Sequence, residues 1–116
     1  MRRYKWLVFT NCDPDHHAEY NQWYDEIHIP DLLRIPGVVG ATRSGLAQAQ
    51  THLDEEGIHL CGPERIGARF PYLAVYAFET DDPTAVLQEV KNRAGTPEMT
   101  LSPYLGEVYT VLYEDR

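Results

Sequence analysis

A chain of 116 residues with 43% hydrophobic and 24% charged side chains has the composition of one ordinary globular domain, 1–116, which excludes intrinsic disorder. Lys and Arg total 10 against 18 Asp and Glu, and a net charge of −8 with no basic stripe argues against nucleic acid and anionic membranes as partners. No apolar run approaches the roughly 18 residues that span a bilayer and no secretory leader is recognisable, so Cys12 and Cys61 read as free thiols of a cytoplasmic protein.

Tyr4 to Asn11 is rich in aromatic and β-branched residues and predicts a first strand. Asn11-Cys12-Asp13-Pro14-Asp15 is turn chemistry, with Asp13 or Asp15 available to cap a helix. From about His16 to Ile29 the apolar positions Ala18, Tyr20, Trp23, Tyr24 and Ile27 recur at helical spacing. Pro30 has no N–H to bond back to Glu26 and is expected to kink or end that helix. A short piece, Asp31 to Ile35, can restart it before Pro36-Gly37 stops it.

Val38 to about Gln48 predicts a second strand that bends or bulges at its glycines. Gln50 to Ala68 reads as a long loop: a lid, a dimer arm or merely a mobile segment. Arg69 to Glu79 predicts a third strand, and Asp81-Asp82-Pro83 opens a second helix that runs to about Ala94 with Gly95 just beyond it. Glu107 to Tyr113 predicts a fourth strand.

Strand–helix–strand–strand–helix–strand is the order of an α+β, ferredoxin-like βαββαβ fold with a four-stranded antiparallel sheet. Two helices cover one face of such a sheet, so the other should alternate cleanly between apolar and polar residues if water wets it. It does not. Tyr72, Ala74, Tyr76 and Phe78 point one way and Leu73, Val75 and Ala77 the other, and the last strand sets Tyr109, Val111 and Tyr113 against Val108, Thr110 and Leu112. The economical reading is a homodimer in which a second copy covers the far face; the alternative is a monomer whose long loop folds over it.

His28 is the residue most suited to chemistry. On a regular helix Tyr20, Trp23, Tyr24, Ile27, His28 and Asp31 share one side, and Asp25 and Asp31 each stand three residues from the imidazole, where either can orient it. A histidine beside apolar surface suits proton transfer at neutral pH, or else simply bonds a backbone carbonyl freed by Pro30. Asn11, at the end of the first strand, can donate to a substrate carbonyl or cap the turn. Tyr72, Tyr76, Tyr109 and Tyr113 can each offer a phenol to a developing oxyanion or sit in the core with the hydroxyl satisfied. His16, His17, His52, His59 and Cys61 lack metal-ligand spacing, and no nucleotide-binding glycine motif or nucleophile elbow is present, so neither metal nor cofactor is expected.

The stretch from Asn21 to Leu33, followed by Ile35-Pro36-Gly37-Val38, resembles the EthD-like branch of the dimeric α+β barrel superfamily. The resembling signature is an aromatic residue, then His-x-Pro on the helix, then Pro-Gly before the second strand, here Trp23, Tyr24, His28, Pro30, Pro36 and Gly37. The resemblance implies a sheet-to-sheet dimer with a pocket between each sheet and its own helices, and His28 as acid or base. It implies a cofactor-independent enzyme of cyclase, dehydratase, decarboxylase or isomerase type, acting on a small, largely apolar carbonyl or phenolic metabolite, as in polyketide or aromatic metabolism. In that reading His28 moves a proton, Asp25 or Asp31 fixes its ring, Asn11 and a strand tyrosine hold the enolate, and Trp23, Tyr24, Tyr72, Tyr76 and Tyr109 contact substrate. A cofactor-free monooxygenase on an electron-rich aromatic, or a non-catalytic ligand-binding dimer, are the other readings. The haem-degrading relatives pair an early Asn with a third-strand Trp and a second-helix His, and the latter two are missing here.

Overall fold

A computed structural model describes residues 1–65 and 69–116. Strand β1 (Arg2–Cys12) leads into helix α1 (His17–Trp23), a π-helical turn (Tyr24–His28) and helix α2 (Ile29–Leu33). Strand β2 (Val38–Gly45), a hairpin of β3 (Gln50–Asp54) and β4 (Gly57–Cys61), strand β5 (Tyr72–Thr80), helix α3 (Pro83–Arg93) and strand β6 (Leu105–Glu114) follow. The main sheet has the order β2-β5-β1-β6, with every neighbouring pair antiparallel. Setting the small hairpin aside, this is the expected βαββαβ order.

The register explains why the sheet has two unlike faces. Tyr4, Val8 and Thr10 of β1 share a side with Ala74, Tyr76 and Phe78 of β5, and all are buried beneath the helices. Tyr20, Tyr24, Leu32, Ile35, Val86 and Met99 complete this core from the other side. Opposite parity puts Leu7, Phe9, Leu73, Val75, Ala77 and Val111 on the uncovered face, where each remains partly accessible. Tyr109 and Tyr113 stand on that face 57% and 60% exposed.

Local chemistry sets the ends of the elements. The Asp82 carboxylate accepts from the Ala85 N–H at 3.1 Å and Pro83 follows it, so α3 starts with a satisfied cap. Gly37 turns the chain into β2 with φ at +96°, and a Cβ there would lie 2.8 Å from Val86 Cγ2, so both backbone and packing demand glycine. The bulge expected in β2 falls between Val38 and Gly40.

Two expectations need correction, and the one for Pro30 gains a physical account. Asp13 does not cap α1: its carboxylate accepts from the Asp15 N–H at 2.9 Å in a tight turn, and His16 precedes the helix without a side-chain cap. Pro30 stands, as expected, where a short second helix restarts, after a π turn that follows α1. The Ile29 N–H bonds Tyr24 O, five residues back, and this wider turn carries the chain past Pro30, which lies in the first turn of α2 where no N–H is needed. Residues 50–61 of the expected long loop form the β3–β4 hairpin; residues 66–68 lie outside the described ones. The alternation is in the sequence, with His52, Asp54, His59 and Cys61 on one side of the hairpin and Leu53, Ile58 and Leu60 on the other. Those three apolar side chains are 71%, 73% and 88% exposed, so burial does not reinforce the pattern.

Candidate functional site between helix and sheet

The π turn separates Ile27 from His28. In an unbroken α-helix Ile27 and His28 would both follow Tyr24 on one side; the extra residue in the turn leaves Ile27 46% exposed while His28 stays against Tyr24. The imidazole stacks on Trp23 with ring centroids 4.6 Å apart and meets the edge of Tyr24 at 4.9 Å. Its Nδ1 is buried without a hydrogen-bond partner among the described residues. Burial lowers the pKa to about 4, against the pull of the Asp31 carboxylate and helped by the nearby Arg43 charge. At neutral pH roughly one ring in a thousand is protonated, so His28 works as a neutral imidazole.

Neither flanking carboxylate orients that ring by a hydrogen bond. Asp25 pairs with Arg43 at 2.9 Å, and Asp31 pairs with Arg34 at 2.5 Å. Asp31 acts on His28 only through its field.

Behind His28 the helix–sheet interface is filled by tyrosine. Tyr76 donates to Tyr24 at 2.9 Å, and Thr10 and Tyr20 share a hydrogen bond of 2.5 Å. Burial raises the pKa of Tyr20, Tyr24 and Tyr76, so all remain phenols. Trp23 fixes the outer wall by donating from Nε1 to the Thr100 carbonyl at 3.2 Å.

Toward the open end of the interface lies a polar string that pattern reading missed. Asn21 Nδ2 donates to the Tyr72 hydroxyl at 3.1 Å, and that hydroxyl lies 2.6 Å from His17 Nδ1. The amide nitrogen can only donate, so the phenol oxygen accepts from Asn21 and shares a second hydrogen bond with His17. The Cys12 thiol, its pKa raised by burial and the neighbouring Asp13, lies 3.4 Å from the same nitrogen. Arg43 continues the string, donating to Asn21 Oδ1 at 3.0 Å and to Asp25 at 2.9 Å. Its guanidinium lies 4.1 Å from the ring centre of Tyr24, 5.4 Å from Tyr72 and 5.9 Å from Tyr20. Arg43 pairs across the sheet with buried Ala74, which is what turns it inward. An arginine on the covered side of a strand was the available signal, legible only once the parity of β2 was known. A concavity of about 240 Å³ opens here, lined by Asn21, Asp25, Arg43, Ser44, Gly45 and Tyr72.

Two expected site residues lie elsewhere. Asn11 has the opposite parity to Thr10, and its amide brackets β1 to β6. It accepts from the Glu107 N–H at 2.6 Å and donates to Arg69 O at 3.0 Å, and a side chain at Gly106 would collide with it. The Arg69 ion pair and the Asn11 amide hold the Glu107 pKa below its usual value. Tyr109 packs with Phe9 and Phe70 on the uncovered face. Thus His28, Trp23, Tyr24, Tyr72, Tyr76, Asp25 and Asp31 belong to the helix side of the sheet, and Asn11 and Tyr109 do not.

Solved structures share this architecture. A candidate monooxygenase from Shewanella loihica PV-4 superposes with a TM-score of 0.54 at 16% identity, over 97% of this chain and 94% of its own. A dimeric ferredoxin-like protein of unknown function from Thermobifida fusca YX gives 0.52 at 11% identity, over 97% of this chain and 91% of its own. The fold is ferredoxin-like. An ethyl tert-butyl ether degradation (EthD) family protein from Bacillus halodurans C-125 aligns over 100% of both chains at 13% identity with a TM-score of 0.48. No family model matches this ferredoxin-like chain, and no curated protein matches it significantly. Among the described residues no helix is long and apolar enough to cross a membrane.

Proposed function

We propose that the protein is a homodimer that performs cofactor-independent acid–base chemistry on a small, largely apolar carbonyl or phenolic compound held on the helix side of its sheet. The observation that carries this reading is His28. A neutral imidazole set against two aromatic rings, with a buried nitrogen that has no partner among the described residues, is costly to keep unless a ligand completes its hydrogen bonds. A ring that resists protonation suits two tasks: hydrogen bonding to a carbonyl oxygen as negative charge grows there, and passing on a proton without retaining it. The Tyr24 phenol beside it accepts from Tyr76 and keeps its own proton to donate. Asp31 supplies the charge that favours a transient imidazolium. The EthD-like helix signature at Trp23, Tyr24, His28 and Pro30 supports the same assignment.

The dimer rests on the uncovered face. Its central residues, Leu7, Leu73, Val75 and Val111, are apolar, and a second copy of that face covers them in a self-complementary way. The Thermobifida neighbour of the same fold is itself described as dimeric.

Deuterium exchange α to the carbonyl of simple cyclic ketones and 1,3-diketones, followed by NMR in D₂O, tests the chemistry with generic probe compounds. Exchange above the buffer rate, reduced about 10² to 10⁴-fold in His28→Ala, is the expected result. A folded His28→Ala protein with undiminished exchange would remove His28 from the mechanism. Two observations keep other readings in play. The Shewanella neighbour carries a monooxygenase assignment, and oxygen uptake during turnover of an electron-rich phenol would mark that chemistry. The fully buried Tyr20, Tyr24 and Tyr76 fill much of the interface, which favours a binding dimer if neither exchange nor oxygen uptake is seen.

A further inference from the structure

We infer that Arg43 is an anion-recognition residue and that Asp25 is its displaceable counter-ion, so that the pocket at the open end of the helix–sheet interface takes a small aromatic or unsaturated carboxylate. The inference takes the helix-side small-molecule reading as its starting point and names the substrate class.

The two partners of this ion pair are held very differently. The Arg43 side chain is 14% exposed, with its guanidinium over Tyr24, Tyr72 and Tyr20 and one nitrogen bonded to Asn21. Moving it would sacrifice cation–π contacts on several rings at once. Asp25 is 61% exposed and reaches Arg43 from the outer side of the π turn. A carboxylate this open to water is held loosely, and it can swing into solvent while Arg43 keeps its other contacts. The fixed cation and loose anion leave a place where an incoming carboxylate can exchange for Asp25 on the same guanidinium nitrogen, with Nε also buried and without a partner among the described residues.

The surroundings define the rest of the ligand. The concavity of about 240 Å³ is smaller than a drug-sized site and suits one ring with a short polar substituent. Tyr72 offers an aromatic wall, but its hydroxyl is committed to Asn21 and His17, so selectivity falls on the charge at Arg43. The protein carries a net charge of −8, which opposes anions at long range. Screening within about 8 Å at physiological salt leaves the local cation to decide the outcome.

Titration of the full chain with benzoate and with its neutral isostere benzamide, followed by calorimetry and by the shifts of the Tyr72 and Asn21 side chains in NMR, provides the test. Benzoate is expected to bind, with benzamide at least about tenfold weaker. Arg43→Gln should weaken benzoate by about ten- to a hundredfold, whereas Asp25→Asn should tighten it by about two- to fivefold. A merely structural ion pair would not give that opposition of sign. Equal binding of benzoate and benzamide, no binding of either, or weaker or unchanged benzoate binding in Asp25→Asn would each overturn the inference. If Arg43→Gln fails to fold, the Asp25→Asn result and the benzoate–benzamide ratio still decide it. His28→Ala separates this test from the functional reading: loss of benzoate selectivity counts against Arg43 alone, and unchanged proton exchange in His28→Ala counts against the chemistry alone.

Discussion

The two faces of the main sheet are built from similar residues and end in different states. Beneath the helices, Tyr4, Tyr76 and Phe78 are at most 4% exposed, and the tyrosine hydroxyls of the interface find partners. On the other face Tyr109 and Tyr113 are more than half exposed, and Leu7, Leu73, Val75 and Val111 are only partly covered. Composition therefore does not separate interior from surface here. What separates them is which parity of each strand the two helical segments reach. In the proposal above, the small molecule belongs to the first face and the second copy of the chain to the other.

The sharpest way to break this comparison is to remove a ring from each face. Phe78→Ala should cost about 3–5 kcal/mol, read by urea denaturation, because Phe78 is fully buried in the core beside Trp6. Tyr109→Ala should leave the subunit folded and weaken association instead; an equal loss on both faces in the dissociated chain would abolish the distinction.

A second contrast is in pH. An unfolded imidazole takes up a proton near pH 6.5, whereas His28 in the fold resists it down to about 4. Stability is therefore fully present above about pH 6.5 and falls as pH drops toward 4, by up to about 3 kcal/mol. Urea midpoints between those values should lose this slope in His28→Phe, which keeps an aromatic ring but does not titrate. A slope unchanged in the variant would place the origin in other groups.

On the open face, Val75→Lys should raise the dimer dissociation constant by about a hundredfold, measured by sedimentation, through an unpaired charge at the centre of the contact. The far end of the scale is Tyr76→Phe. It removes one donor from the Tyr76–Tyr24 pair and should cost about 1 kcal/mol without altering association.

The fold was legible to the extent that local chemistry and burial agreed. The Asp82-Pro83 helix start, the Pro36-Gly37 stop and the doubly apolar β5 all follow from residues that a single local rule reads correctly. The hairpin at residues 50–61 escaped because its alternation is not coupled to a buried face, so His and Asp in it look like loop. The short helix around Pro30 was legible but the π turn before it was not, and that turn is what leaves Ile27 exposed. Within the site, His28, Trp23 and Tyr24 could be chosen from one helix. Arg43, Asn11 and Tyr109 depended on strand pairing, because a shift of one residue along a strand reverses the face.

The central claim is that the uncovered sheet face belongs to a second copy while the helix face holds the site. Sedimentation equilibrium of the wild-type chain beside Val75→Lys tests it most directly. The expected result is a wild-type species of twice the 13.3 kDa chain mass and a folded Val75→Lys protein that dissociates to 13.3 kDa at micromolar concentration. A wild-type protein that sediments as a monomer, or a Val75→Lys protein that stays dimeric, would contradict it.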